Sequence, residues 1–249
     1  MRRLLEGDMR RVVSKILPWI LLVAAYIYMV VSISTKIDTS LNRDFFFLEK
    51  VELSYQTVLM IIGFAALIGI YADEFKSMSM ITVIGRGISR EKFVLAKFLD
   101  VCILTLLMEL LTIVYVMILK VSFGVSFTAL EAKYLMLTFL MGYIETLSYV
   151  VIAAIFYFLS ESAAVGMFAY LTFTLIIPVT LALVMSMTKF AKYHPEQYYI
   201  SGMTGSAVSG FIMGDFARGM AYLFLSLVIY VFAAVVITIA IFRKKELDF

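Results

Sequence analysis

Apolar residues fall into six long runs, at 16–34, 53–72, 93–119, 134–159, 163–187 and 219–242, separated by shorter polar or charged segments. About 20 helical residues cross a hydrocarbon core of roughly 30 Å, so every run is long enough to span a membrane. The pattern predicts an all-α integral membrane protein with six transmembrane helices in a single transmembrane domain over 1–249.

Three of the segments outside the runs have patterns of their own. Residues 1–15 predict an N-terminal interfacial amphipathic helix. Leu5, Met9, Val12 and Ile16 share one face, and Arg3, Arg10 and Ser14 lie opposite. An ordinary basic flank is the alternative. Residues 42–50 carry Phe45, Phe46 and Phe47, an aromatic triplet expected to pack on the outer membrane face or on a partner. Residues 188–218 are longer than a hairpin needs and include Gly202, Gly205, Gly210 and Gly214. Their apolar part is too short to span, which predicts a re-entrant or interfacial helical segment before the last span.

Composition agrees with the pattern. Of 249 residues, 63% are hydrophobic, the mean hydropathy is +1.00, and the net charge is only +3. That charge does not suggest a nucleic-acid surface. The basic residues cluster at span ends. Arg2, Arg3, Arg10, Arg11, Lys15, Lys76, Arg86, Arg90, Lys92, Lys97, Arg243, Lys244 and Lys245 fall on one side, and the smaller set lies opposite. Positive charge favours the cytoplasm, so both termini and the 73–97 segment are expected there, in a multi-pass cell-membrane protein. The first run is too long for the apolar core of a leader peptide, and no cleavable leader is expected. Trp19 reads as an interface anchor, and the lone Cys102 permits no internal disulfide.

Catalytic sets are missing. One histidine, His194, cannot build a His-based triad or a paired-His metal site, and no phosphate-binding loop of the G-x-x-x-x-G-K-[ST] type occurs. The chain is therefore not expected to be an enzyme, and if ATP is consumed another chain must hold it. Three carboxylates lie inside runs. Asp100 follows Lys97 at helical spacing and is expected to pair with it. Glu109 and Glu145 lie deeper and at similar depth. Each sits in a polar stripe, Thr105–Glu109–Thr112 and Thr138–Glu145–Ser148. Interhelical hydrogen bonding is one reading of these stripes; a cargo-contacting or proton-carrying patch is the other. Pro178 predicts a kink in the fifth run, and Gly63 predicts close helix approach in the second.

The charged segment reads Asp73–Glu74–Phe75, an apolar stretch to Ile84, then Gly87–Ile88–Ser89–Arg90–Glu91–Lys92 and Ala96–Lys97. Residues 74–84 can form a three-turn helix with Phe75, Met78 and Ile81 at helical spacing and Gly85 as its stop. Ser89 is placed to cap the next helix. This segment resembles the loop between the second and third spans of permease subunits of type-2 ATP-binding-cassette exporters. The usual Gly-Thr is replaced here by Met78–Ser79. The six runs, the basic amphipathic N-terminus, the long segment before the last run and the basic tail extend the resemblance over the whole chain.

The resemblance implies a coupling helix at 74–84 within a cytoplasmic loop 73–92. It would seat on a separate ATPase subunit through Glu74, Phe75, Met78 and Ile81, with Arg90 as a charged contact. It also implies two ATPase copies binding ATP and Mg, a second permease copy in a homodimer, and a cavity lined by the second and fifth spans. Met60, Phe64 and Pro178 join Glu109 and Glu145 as candidates for the substrate pathway. An exporter of amphipathic peptides, of the bacteriocin or phenol-soluble-modulin group, is the expected role. A proton-coupled secondary transporter using Glu109 and Glu145, and a membrane immunity or peptide-sensing protein, are the alternatives.

Overall fold

The structure is a computed structural model that describes residues 2–34, 43–72, 79–85, 87–187 and 194–244. Its helices are α1 (Arg2–Ser14), α2 (Ile16–Ser34), α3 (Arg43–Ile70), α4 (Ser79–Gly85), α5 (Arg90–Ser122), α6 (Ala129–Ser160), α7 (Ala163–Leu171), α8 (Ile177–Met187), α9 (Ile200–Met213), α10 (Phe216–Ser226) and α11 (Ala233–Lys244). A π turn, Thr172–Ile176, continues α7 into α8, and a second, Leu227–Phe232, continues α10 into α11. A 3₁₀ turn at Pro195–Tyr198 precedes α9. Six of the resulting helices are long and apolar enough to cross a membrane, at the six expected places. No strand occurs among the described residues.

A chain in lipid must satisfy its backbone polar groups within itself, which favours unbroken helices. Buried hydroxyls follow the same rule by bonding to the carbonyl one turn back: Ser54 to Lys50, Thr105 to Val101, Thr112 to Met108, Ser148 to Ile144 and Thr238 to Ala234. Helix starts are fixed by side chains. Ser89 caps α5, as expected, by accepting from the Lys92 N–H. Thr128 and Glu131 form a full capping box on α6, and Asp215 caps α10. Gly214, at φ 82°, supplies the left-handed residue that turns α9 into α10.

α3 and α6 form the centre, with the largest buried share of any span. α2, α5 and α10–α11 pack around them. α3 begins at Arg43, so the aromatic triplet lies within a helix. Only Phe45 is exposed; Phe47 is fully buried and packs on Phe123 and Phe127 of the same chain. The external packing expected of the triplet is thus replaced at Phe47, whose helix turns that ring inward.

At the end of the bundle that carries α1 and α4, cations lock the helices together. Lys97, 1% exposed, reaches Asp8 of α1 at 2.6 Å, so the partner shown for its ammonium lies across the helix interface. Lys15 donates at 2.6 Å to the Gly69 carbonyl in the last turn of α3, where the helix dipole favours positive charge. Val12 is buried, and a Cβ at Gly69 would come within 3.2 Å of it. Trp19 donates to the Val13 carbonyl at 3.0 Å. Arg90 donates to the Phe242 and Arg243 carbonyls at 3.2 and 3.1 Å, capping the C-terminus of α11, and Glu91 pairs with Arg243. Of the remaining coupling candidates, Glu74, Phe75 and Met78 lie outside the described residues. Ile81 lies in α4, which ends at Gly85 as the sequence predicts.

Pro178 sits directly after the first π turn, where a kink was expected. In the five-residue register Ile177 N–H donates to the Thr172 carbonyl. The next carbonyl, Phe173, would look to the N–H of residue 178, which proline lacks. The Tyr199 hydroxyl fills that place by donating to the Phe173 carbonyl. Tyr230, inside the second π turn, donates to the Tyr198 carbonyl at 2.5 Å. The short turn 195–198 is thereby tied to both interrupted spans.

Candidate functional site

Two chambers lie between α3, α6, α7 with its π turn, and α9. The larger, about 340 Å³, is lined by α3, α6 and α9, its polar residues including Glu52, Gln56, Thr138, Glu145 and Thr204. The smaller, about 40 Å³, lies against Met60, Thr146, Tyr149, Tyr170 and Thr174. Gln56 and Glu145 line both, so the chambers meet at that pair.

Helical spacing explains the lining. Glu52, Gln56 and Met60 recur every four residues along one stripe of α3. On α6, Thr138 and Glu145 share the inward face. On α9, Ser201, Thr204, Gly205, Val208 and Ser209 do the same. Glu145, 7% exposed, accepts from the Thr204 hydroxyl at 3.0 Å through Oε2. At the wider end Tyr134 donates to Glu52 at 2.6 Å. An ionised carboxylate at the centre of a lipid-facing helix costs about 2.5–3.5 kcal/mol, so Glu145 is placed where polar groups and a cavity replace lipid.

Glu109 has a different environment. It is buried between helices and accepts a hydrogen bond from Tyr55, whose hydroxyl also reaches the Phe139 carbonyl at 3.3 Å. Beside it Thr112 meets the Tyr26 hydroxyl at 3.1 Å, and Tyr26 stacks on Tyr115 at 4.3 Å. The two carboxylates, alike in depth and polar setting by sequence, therefore have different surroundings. Glu145 faces space, and Glu109 closes a packed joint of α3, α5 and α6. Gly142 makes this possible, since a Cβ there would stand 2.3 Å from the Tyr55 hydroxyl oxygen.

The other pathway candidates divide as well. Met60 lines the small chamber, and its carbonyl accepts from Tyr170 at 2.9 Å. Phe64 lies beside the same ring, at 6.3 Å between centroids, and does not line either chamber. Gly63 admits Tyr170, as the expected close approach requires. Pro178 borders a separate space of about 150 Å³ with Tyr199 and Ser201, and Ser201 also borders the large chamber. Sequence reasoning missed Glu52, Gln56, Tyr134, Ser201 and Thr204. The four-residue recurrence on α3 was the available signal for the first two. No group of His, Cys, Asp and Glu suited to a metal occurs among the described residues.

Residues 21–247 match a family described as a protein of unknown function, DUF2705. The chain belongs to this family. The DUF2705 match contains every residue of both chambers and the Tyr55–Glu109 joint, while Asp8 and Lys15 of the N-terminal lock precede it. No curated protein matches the chain.

Proposed function

We propose that the chain is the membrane-spanning subunit of an ATP-driven exporter of the second ATP-binding-cassette type, moving an amphipathic substrate, a peptide in the first instance, out of the cytoplasm. The observation that carries this reading is the combination, in one chain, of a loop resembling a coupling segment with a polar cavity between spans. The loop contains α4 and continues to Ser89–Arg90, and the cavity includes Glu145 in its lining. Both termini lie in the cytoplasm. Two copies of a separate ATPase subunit hold ATP and Mg, and a second permease copy completes the transporter. Glu74, Phe75, Met78 and Ile81 seat the coupling helix on the ATPase, and Arg90 ties the far side of that loop to α11. At about 1.5 Å per residue, the 14 residues of α9 cover roughly two thirds of a bilayer core. α9 is accordingly the re-entrant or interfacial segment before the last span, and α1 the N-terminal interfacial helix.

The separation of Glu109 from Glu145 favours this reading over one in which both carboxylates carry protons. The test is co-purification with a soluble protein bearing a phosphate-binding loop, and vanadate-sensitive ATP hydrolysis by the complex. Deleting 74–84 is expected to abolish both coupling and assembly; a complex that stays intact and coupled overturns the proposal. Export abolished by collapse of the proton gradient, with ATP still present, would support the secondary-transporter alternative instead.

A further inference from the structure

Thr146 is the anomaly of the small chamber. Its hydroxyl is buried, at 2% exposure, and has no hydrogen-bond partner, although Thr105, Thr112, Thr138 and Ser148 all bond back to the carbonyl one turn earlier. It lines a space of about 40 Å³ together with Glu145 and Gln56. A water needs about 10–15 Å³ of such space, so the chamber admits a small polar head. Glu145 Oε2 is occupied by Thr204. Among the described residues no hydrogen-bond donor reaches Oε1, and no Lys, Arg or His lines either chamber.

We infer that the small chamber binds a primary ammonium group, with the apolar remainder of the ligand in the large chamber. An ammonium offers three donors and no acceptor. Glu145, Thr146 and Gln56, each of which carries an acceptor oxygen, line one small space. A trimethylated ammonium has no donor to offer these acceptors, and an anion meets Glu145 with like charge. Met141, Val208, Ile212 and Met213 give the large chamber an apolar side for a chain that follows the head. That such a ligand is exported cargo rests on the function proposed above; that it binds does not.

The test is calorimetric titration of the full chain in phosphatidylcholine nanodiscs, corrected for empty discs, with octylamine, octyltrimethylammonium and octanoate. Saturable binding of octylamine alone is expected. Glu145→Gln is expected to weaken it at least about tenfold, as loss of a charge-assisted contact does. Gly205→Leu provides a second variant, because a Cβ at Gly205 meets nothing within 4 Å and extends into the large chamber. It is expected to block binding, with room at the backbone for its Cβ. Octylamine binding no stronger than to empty discs overturns the inference, as does equal binding of octanoate or unchanged affinity in Gly205→Leu. Adding phosphatidylethanolamine to the discs separates two sources of the same group: competition assigns the site to a lipid head, and unaltered affinity to a soluble amine. Amine binding without any ATPase partner would leave this inference standing and remove the exporter reading, and a coupled ATPase without amine binding would do the reverse.

Discussion

The Tyr55 hydroxyl donates to the Glu109 carboxylate across the α3–α5 interface, with the Tyr55 ring edge-on to Phe139 at 4.9 Å. Removing a donor from a buried acceptor costs about 1–3 kcal/mol. Tyr55→Phe is therefore expected to lower the thermal midpoint in detergent. Glu109→Leu, which removes the acceptor, should do the same while leaving octylamine affinity unchanged. A loss of affinity as large as that of Glu145→Gln would mean the two carboxylates are not separated.

Gly142 is the space that this ring occupies. A Cβ at 142 would lie 2.8 Å from two further ring atoms of Tyr55, so Gly142→Ala must push the ring out of its joint. Overpacking of this kind costs about 1–3 kcal/mol. Combined with Tyr55→Ala the penalty should vanish, and a double-mutant cycle that is simply additive would contradict the contact.

The Asp8–Lys97 pair is buried on the lysine side. Breaking one partner of such a pair costs about 3–5 kcal/mol when both are fully buried, and somewhat less here because Asp8 is 13% exposed. Asp8→Asn is expected to release α1. Faster proteolysis near residues 2–14, with the remaining helices still protected, is the measurement.

The carbonyl of Phe173 gives a compensation test. Tyr199→Phe removes its donor and should cost about 1 kcal/mol. Pro178→Ala restores an N–H at the position that proline leaves empty. The double variant is expected to regain stability relative to Tyr199→Phe alone. If Pro178→Ala lowers stability equally in both backgrounds, the Tyr199 hydroxyl is not substituting for that N–H.

Six spans were legible because twenty-residue apolar runs have one physical solution in lipid. Ser89 was legible because a cap is a local property of its own turn. The chambers were not. Glu145 stood out as a charge inside an apolar run, but its partner Thr204 is distant in sequence, and nothing local to 200–213 announces which face meets α6. Glu109 and Glu145 look alike in sequence because depth is read from position along a helix. What divides them is rotation: one points at Tyr55 and the other at Thr204. Asp8 was not legible as a partner of Lys97 because only neighbours on one helix are visible before folding, whereas Asp8 arrives with α1. Phe47 likewise changed role once α3 was seen to begin at Arg43.

The cations at the α1–α4 end have a consequence for any attempt to map which way the chain faces. Lys15, Arg90 and Lys97 each hold a carbonyl or carboxylate of another helix. A charge-reversal scan at these positions would report misassembly as though it were inversion in the bilayer. The exposed Lys92 offers a cleaner reporter, because labelling it reads sidedness without loosening a joint.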